Sequence, residues 1–67
     1  MKRINMVANR VKEVREALAW TIAELARKAG VVPQTVSKME KGVKTSRNSQ
    51  LKVARALGKK HEELFQN

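Results

Sequence analysis

Residues 21–42 read TIAELARKAGVVPQTVSKMEKG, and this stretch restricts the chain more than any other. Ile22, Leu25, Ala26 and Ala29 recur at i, i+3, i+4 and i+7, which predicts an amphipathic helix of about two turns. Thr21 and Glu24 have capping-box spacing, in which each side chain satisfies an orphan backbone N–H at the helix start. Glu24 and Lys28 are spaced for an i, i+4 ion pair in the favourable order. Gly30 follows, a residue that turns the chain at φ > 0 without steric penalty. Pro33 then suits the first position of a second helix, where its missing N–H costs nothing. That helix is expected to run to about Lys41, with Val36 and Met39 inward. Ala26 is small enough to let the two helices cross closely, and Val31 and Val36 are placed to fill the angle between them.

Similar spacing organises the rest of the chain. Val7, Val11, Val14 and Leu18 mark one face of an earlier helix. Leu51, Val53, Ala54 and Leu57 mark a later one, with Ser46 as its N-cap. Leu64 and Phe65 belong to a short last turn, and Gly42 and Gly58 each close a helical stretch. No window alternates with period two for long enough to predict a sheet, although residues 4–7 suit a short strand or arm. The 67 residues fill at most one domain. The expectation is an all-α fold, a compact domain of four to five helices over residues 9–65, with an arm at 1–8 and a tail at 66–67.

Composition excludes most chemistry. The chain has no Cys, no Asp, no Tyr and one His, so neither a nucleophile–base pair nor a metal cluster assembles from it. No enzyme activity, no metal and no cofactor are expected, and His61 lacks companion ligands beyond Glu62 and Glu63. The longest stretch without a charged residue is nine residues, 29–37, against the roughly 20 needed to cross a bilayer. Lys2 and Arg3 are followed by no apolar run of signal-peptide length, so a cytoplasmic protein with no membrane partner is expected. Fifteen basic residues against six acidic give a net charge of +9, and the usual partner of such a field is a polyanion.

Helix, glycine-containing turn and helix in residues 21–42 form the helix-turn-helix pattern, whose second helix lies in the DNA major groove. ELA at 24–26, AGV at 29–31, TVSKMEKG at 35–42 and ALG at 56–58 together resemble the phage repressor and Cro-type, or Xre-like, family over residues 9–65. The resemblance implies about five helices, a dimer on duplex DNA and regulation of transcription. It pairs Arg15 with Glu40 as an internal ion pair that holds the recognition helix in place. The pattern also has departures. Ile22 stands where many members carry a phosphate-touching Gln, which leaves Thr21 and the backbone N–H groups of that helix start for the phosphate. Val32 occupies the usual polar cap, Pro33 replaces a polar first residue, and residues 45–50 lack the common proline and leucine.

Gln34 falls in the first turn of the recognition helix, and Gln pairs bidentately with adenine. Thr35, Ser37 and Lys38 are expected on the same exposed side as further base readers. Lys41, Lys44 and Arg47 follow in what reads as a loop, with Asn48 and Ser46 beside them, and suit phosphate contacts. The bland alternatives are solvated surface residues. Trp20 reads as core, because single-strand binders carry several aromatics. Leu64 is expected inward, and Phe65 shared with a partner subunit in a homodimer. Only residues 66 and 67 follow, so no small-molecule effector domain is expected. Two rival readings are an antitoxin-like module that binds a protein as well as DNA, and a basic RNA-binding protein.

Overall fold

The computed structural model describes residues 8–66. Five helices follow in order: α1 (Val11–Ala17), α2 (Ile22–Ala29), α3 (Pro33–Glu40), α4 (Arg47–Leu57) and α5 (His61–Leu64). One feature adds to the all-helical expectation. Ala8–Asn9 (β1) pairs antiparallel with Phe65–Gln66 (β2), Ala8 opposite Gln66 and Asn9 opposite Phe65. The folded unit therefore includes the backbone of residues 8 and 66, which the sequence assigned to an arm and a tail. The strand or arm expected at residues 4–7, and Val7 of the first apolar face, lie outside the described residues.

The helix ends follow local chemistry. Thr21 Oγ1 accepts from Glu24 N–H at 3.0 Å while Glu24 Oε1 accepts from Thr21 N–H at 2.7 Å, a complete capping box. Ser46 caps α4 by accepting from Ser49 N–H. Gly30 closes α2 at φ 77° and Gly58 closes α4 at φ 71°. One left-handed residue is not a glycine: Ala19, φ 61°, turns the chain out of α1. Alanine normally avoids that region, so nothing in the residue type announced it.

Every helix sends apolar side chains to one core. Val11 and Val14 come from α1, Leu25 and Ala26 from α2, and Val36 and Met39 from α3. Val53, Ala54 and Leu57 of α4, with Leu64 and Phe65, complete it. Trp20, Ile22 and Val31 pack half-buried against this cluster. Two expected core residues are instead exposed. Leu18 lies beyond the last turn of α1, and Leu51 sits on the outer side of α4. The Glu24–Lys28 pair does not form either. Glu24 is committed to the capping box, and Lys28 Nζ lies 4.9 Å from the centre of the Trp20 ring, a cation–π contact.

Candidate nucleic-acid interface

Gly30, Val31 and Val32 make a three-residue turn between α2 and α3. Gly30 N–H and Val31 N–H both donate to Ala26 O, which closes α2 while the chain reverses toward α3. Val36, fully buried on the inner face of α3, and half-buried Val31 fill the space behind the turn. With Val36 and Met39 inward, the helix period turns Gln34 and Lys38 outward one turn apart, and both are exposed. Thr35 and Ser37 flank that ridge and are half-buried rather than fully exposed. Val32 at the α3 N-cap makes no side-chain hydrogen bond, so the first-turn N–H groups of α3 have no side-chain cap.

Two polar clamps seat the far end of α3. Arg15, 9% exposed, donates from Nε to Glu40 Oε2 at 2.6 Å and from Nη2 to Glu40 Oε1 at 3.2 Å. Its Nη1 donates to Trp20 O at 2.7 Å, so one guanidinium ties α1, α3 and the approach to α2 together. The hydrogen bond to Glu40 raises the Arg15 pKa above its ordinary value, against a smaller opposing effect of burial. The second clamp is Asn9, which belongs to none of the sequence motifs. Asn9 Nδ2 donates to Met39 O at 2.8 Å, and its Oδ1 accepts from Val11 N–H at 3.1 Å. An Asn two residues ahead of a helical valine is a capping signal. The long-range half of its role has no local signature.

The clamps also shape the charge of this surface. Glu40 is the one acid between Lys38 and Arg47, and its carboxylate is turned inward onto Arg15. Lys38, Lys41, Lys44 and Arg47 are all exposed. Neither α3 nor α4 has an acidic residue in its first turn, so nothing there offsets the positive ends of the helix dipoles. Arg47, which the sequence suggests is in the loop, instead opens α4 with Asn48 directly after the Ser46 cap. Thr21, at the start of α2, is exposed; its oxygen accepts from Glu24 N–H, and its hydroxyl hydrogen remains available as a donor. The loop at 41–46 is tied down by Gln50, whose Nε2 donates to Thr45 O at 3.2 Å. Gln50 Oε1 accepts from His61 Nε2 at 2.8 Å, and the His61 ring stacks on Phe65. His61 is thus a joint between α4 and α5.

Phe65 does not fit its expected role at a dimer contact. It is 6% exposed and Leu64 is 1% exposed, so both complete the monomer's own core. The β1–β2 pairing and the His61 ring cover Phe65 from within the chain, leaving little surface for a partner. No group of three or more His, Cys, Asp or Glu side chains suited to a metal occurs among the described residues. No helix among them is long and apolar enough to cross a membrane.

The profile of the helix-turn-helix family matches residues 11–64, which is most of the chain. Among solved structures, a complex of a SinR protein with a SinI protein is similar at a TM-score of 0.71 and 31% sequence identity. The similarity covers 79% of this chain and 53% of that one, so this chain matches about half the length of its structural relative. No curated protein matches the sequence significantly. On the match over residues 11–64, and with the α2–turn–α3 geometry that accompanies it, the chain belongs to the helix-turn-helix family of the Xre and Cro type, a family of DNA-binding regulators.

Proposed function

We propose that the protein is a sequence-specific, double-stranded-DNA-binding transcriptional regulator, a dimeric repressor that reads a near-palindromic operator through α3. The observation that carries this reading is the Glu40 carboxylate held inward by Arg15, which leaves an unopposed cationic surface around an exposed Gln34. Gln34 and Lys38 are the base readers, with half-buried Thr35 and Ser37 contributing at the flanks. Thr21, Lys41, Lys44, Arg47 and Asn48 hold phosphates, which fixes register without reading sequence. A single module of this size covers little DNA, so two subunits set their α3 helices one turn of duplex apart, about 34–36 Å. Leu64 and Phe65 serve the core, so the dimer draws on other surface. A duplex-DNA partner supports a cytoplasmic location.

Selection from a random duplex pool followed by footprinting tests the proposal. The expected product is a near-palindrome whose half-sites lie about 10 base pairs apart, protected by two protein chains. Equal affinity for every duplex, or one chain per site with no symmetry, would refute it. A second reading, the antitoxin-like module, has one observation in its favour: the similar solved structure is itself a two-protein complex. Recovery of a stoichiometric protein partner without any selected DNA sequence would favour that reading.

A further inference from the structure

The C-terminal end of α2, with Gly30 of the turn, and the outer side of α4 form an open groove of about 690 Å³. Its floor is apolar, made by half-buried Ala29 and Ala56 with the exposed side chain of Leu51. Its rim is cationic, made by Lys28 on one bank and by Lys52 and Arg55 on the other. No acidic residue lines it. The ion pairs among the described residues involve Arg10 and Arg15 only, so none of these three rim cations is neutralised. Lys28 is held in place by the Trp20 ring.

Such a recess suits one kind of occupant. Leu51 leaves 43% of its surface in water, an apolar exposure that a phosphate backbone cannot cover. A second copy of this chain, net +9, would bring positive charge to a positive rim. An acidic amphipathic helix meets both demands, with one apolar side chain over Leu51 and carboxylates on the cations. From Asn48 to Ala56 the α4 bank is about 12 Å long, room for about two turns. We propose that this groove docks an acidic amphipathic segment of a partner protein, recognised by Lys28, Lys52 and Arg55 around the Leu51 floor. Asn48 lines the groove and is also one of the proposed phosphate contacts, so an acid docked there competes with DNA. That competition rests on the DNA-binding reading, whereas docking itself does not.

The test titrates the full chain, labelled for amide NMR, with a synthetic acidic helical peptide of about three turns carrying two leucines one turn apart between glutamates. Amides of Ala29, Leu51, Lys52, Arg55 and Ala56 are expected to shift. Lys52→Gln and Arg55→Gln should each weaken the peptide about fivefold, and Leu51→Ser about tenfold. Lys52 and Arg55 are exposed, so those two variants keep the fold and preserve the test if Leu51→Ser does not. A peptide with its leucines replaced by alanine should lose most of its affinity. If that peptide binds as well as its parent, or the shifts map to α3 and residues 41–47, the attraction is that of a general polyanion and the proposal fails. It also fails if a short duplex alone shifts the groove amides and the peptide cannot displace it. Failure of the peptide to bind would leave operator selection untouched, so the two proposals fall separately.

Discussion

Arg15 on α1 and Glu40 at the end of α3 meet through two hydrogen bonds in a nearly buried ion pair, 25 residues apart in sequence. The pair holds α3 by its C-terminal end and removes the acid nearest the exposed lysines. Glu40→Ala would leave a guanidinium that is 9% exposed with Trp20 O and, 3.9 Å away, the solvent-facing Glu16 carboxylate as its remaining partners. The expected loss is about 3–5 kcal/mol in urea unfolding, since the exposed Glu16 carboxylate replaces little of what the buried partner supplies. Replacing both partners by apolar residues of similar volume should cost less than the single change. A loss below about 1 kcal/mol for Glu40→Ala would show that the pair is solvated and does not anchor α3.

Asn9 predicts a smaller loss at the same end of α3. Asn9→Ala removes the donor to Met39 O and the acceptor for Val11 N–H together. About 1–3 kcal/mol of stability should go, because both backbone groups lose a partly buried partner. Hydrogen exchange at the end of α3 should also speed up in the variant. Unchanged exchange there would mean that Arg15 alone seats the helix.

Two left-handed residues make opposite predictions. Gly30 has φ 77°, and a Cβ built there meets no atom within 4 Å, so Gly30→Ala costs backbone strain alone. About 1–2 kcal/mol is expected, read from the thermal midpoint. Ala19, at φ 61°, already carries that strain, and Ala19→Gly should raise stability by about 0.5–1 kcal/mol. An Ala19→Gly protein that melts lower would place Ala19 outside the left-handed region in solution.

Phe65→Ala should act on folding before it acts on assembly. The ring is 6% exposed and stacks on His61 with centroids 4.8 Å apart. Truncating a buried phenylalanine costs about 3–5 kcal/mol, a large share of the stability of a domain this small. The variant is expected to unfold, or nearly so, at 37 °C by circular dichroism. A variant that stays folded and loses only self-association would restore Phe65 to a dimer contact.

Gln34 and Lys44 separate base reading from phosphate holding. Gln34→Ala should cost about 1–3 kcal/mol on the selected operator, barely affect scrambled duplex and leave the salt slope unchanged. Lys44→Ala should weaken both duplexes alike and reduce the salt slope by about 1. Salt titrations of both variants on both duplexes decide the matter. A base preference that changes at one position in Lys44→Ala would exchange the two roles.

The sequence by itself determined the local elements. Thr21 with Glu24, Ser46, Pro33 and the glycines at 30 and 58 act within one turn of chain, and the helix ends fall where those residues put them. Apolar spacing likewise identified most of the core, because a helix has one inward stripe. Tertiary structure decided what depends on distant partners. Leu18 and Leu51 fit their helical patterns yet face water, since no neighbouring helix covers them. Phe65 lies in the core, and its backbone pairs with Asn9 from the opposite end of the described sequence. Asn9 found Met39 at 30 residues' separation, and Lys28 left Glu24 for the Trp20 ring. Periodicity and caps encode interactions of three to five residues' reach. Burial, long-range clamps and the groove between α2 and α4 arise only when the helices pack against one another.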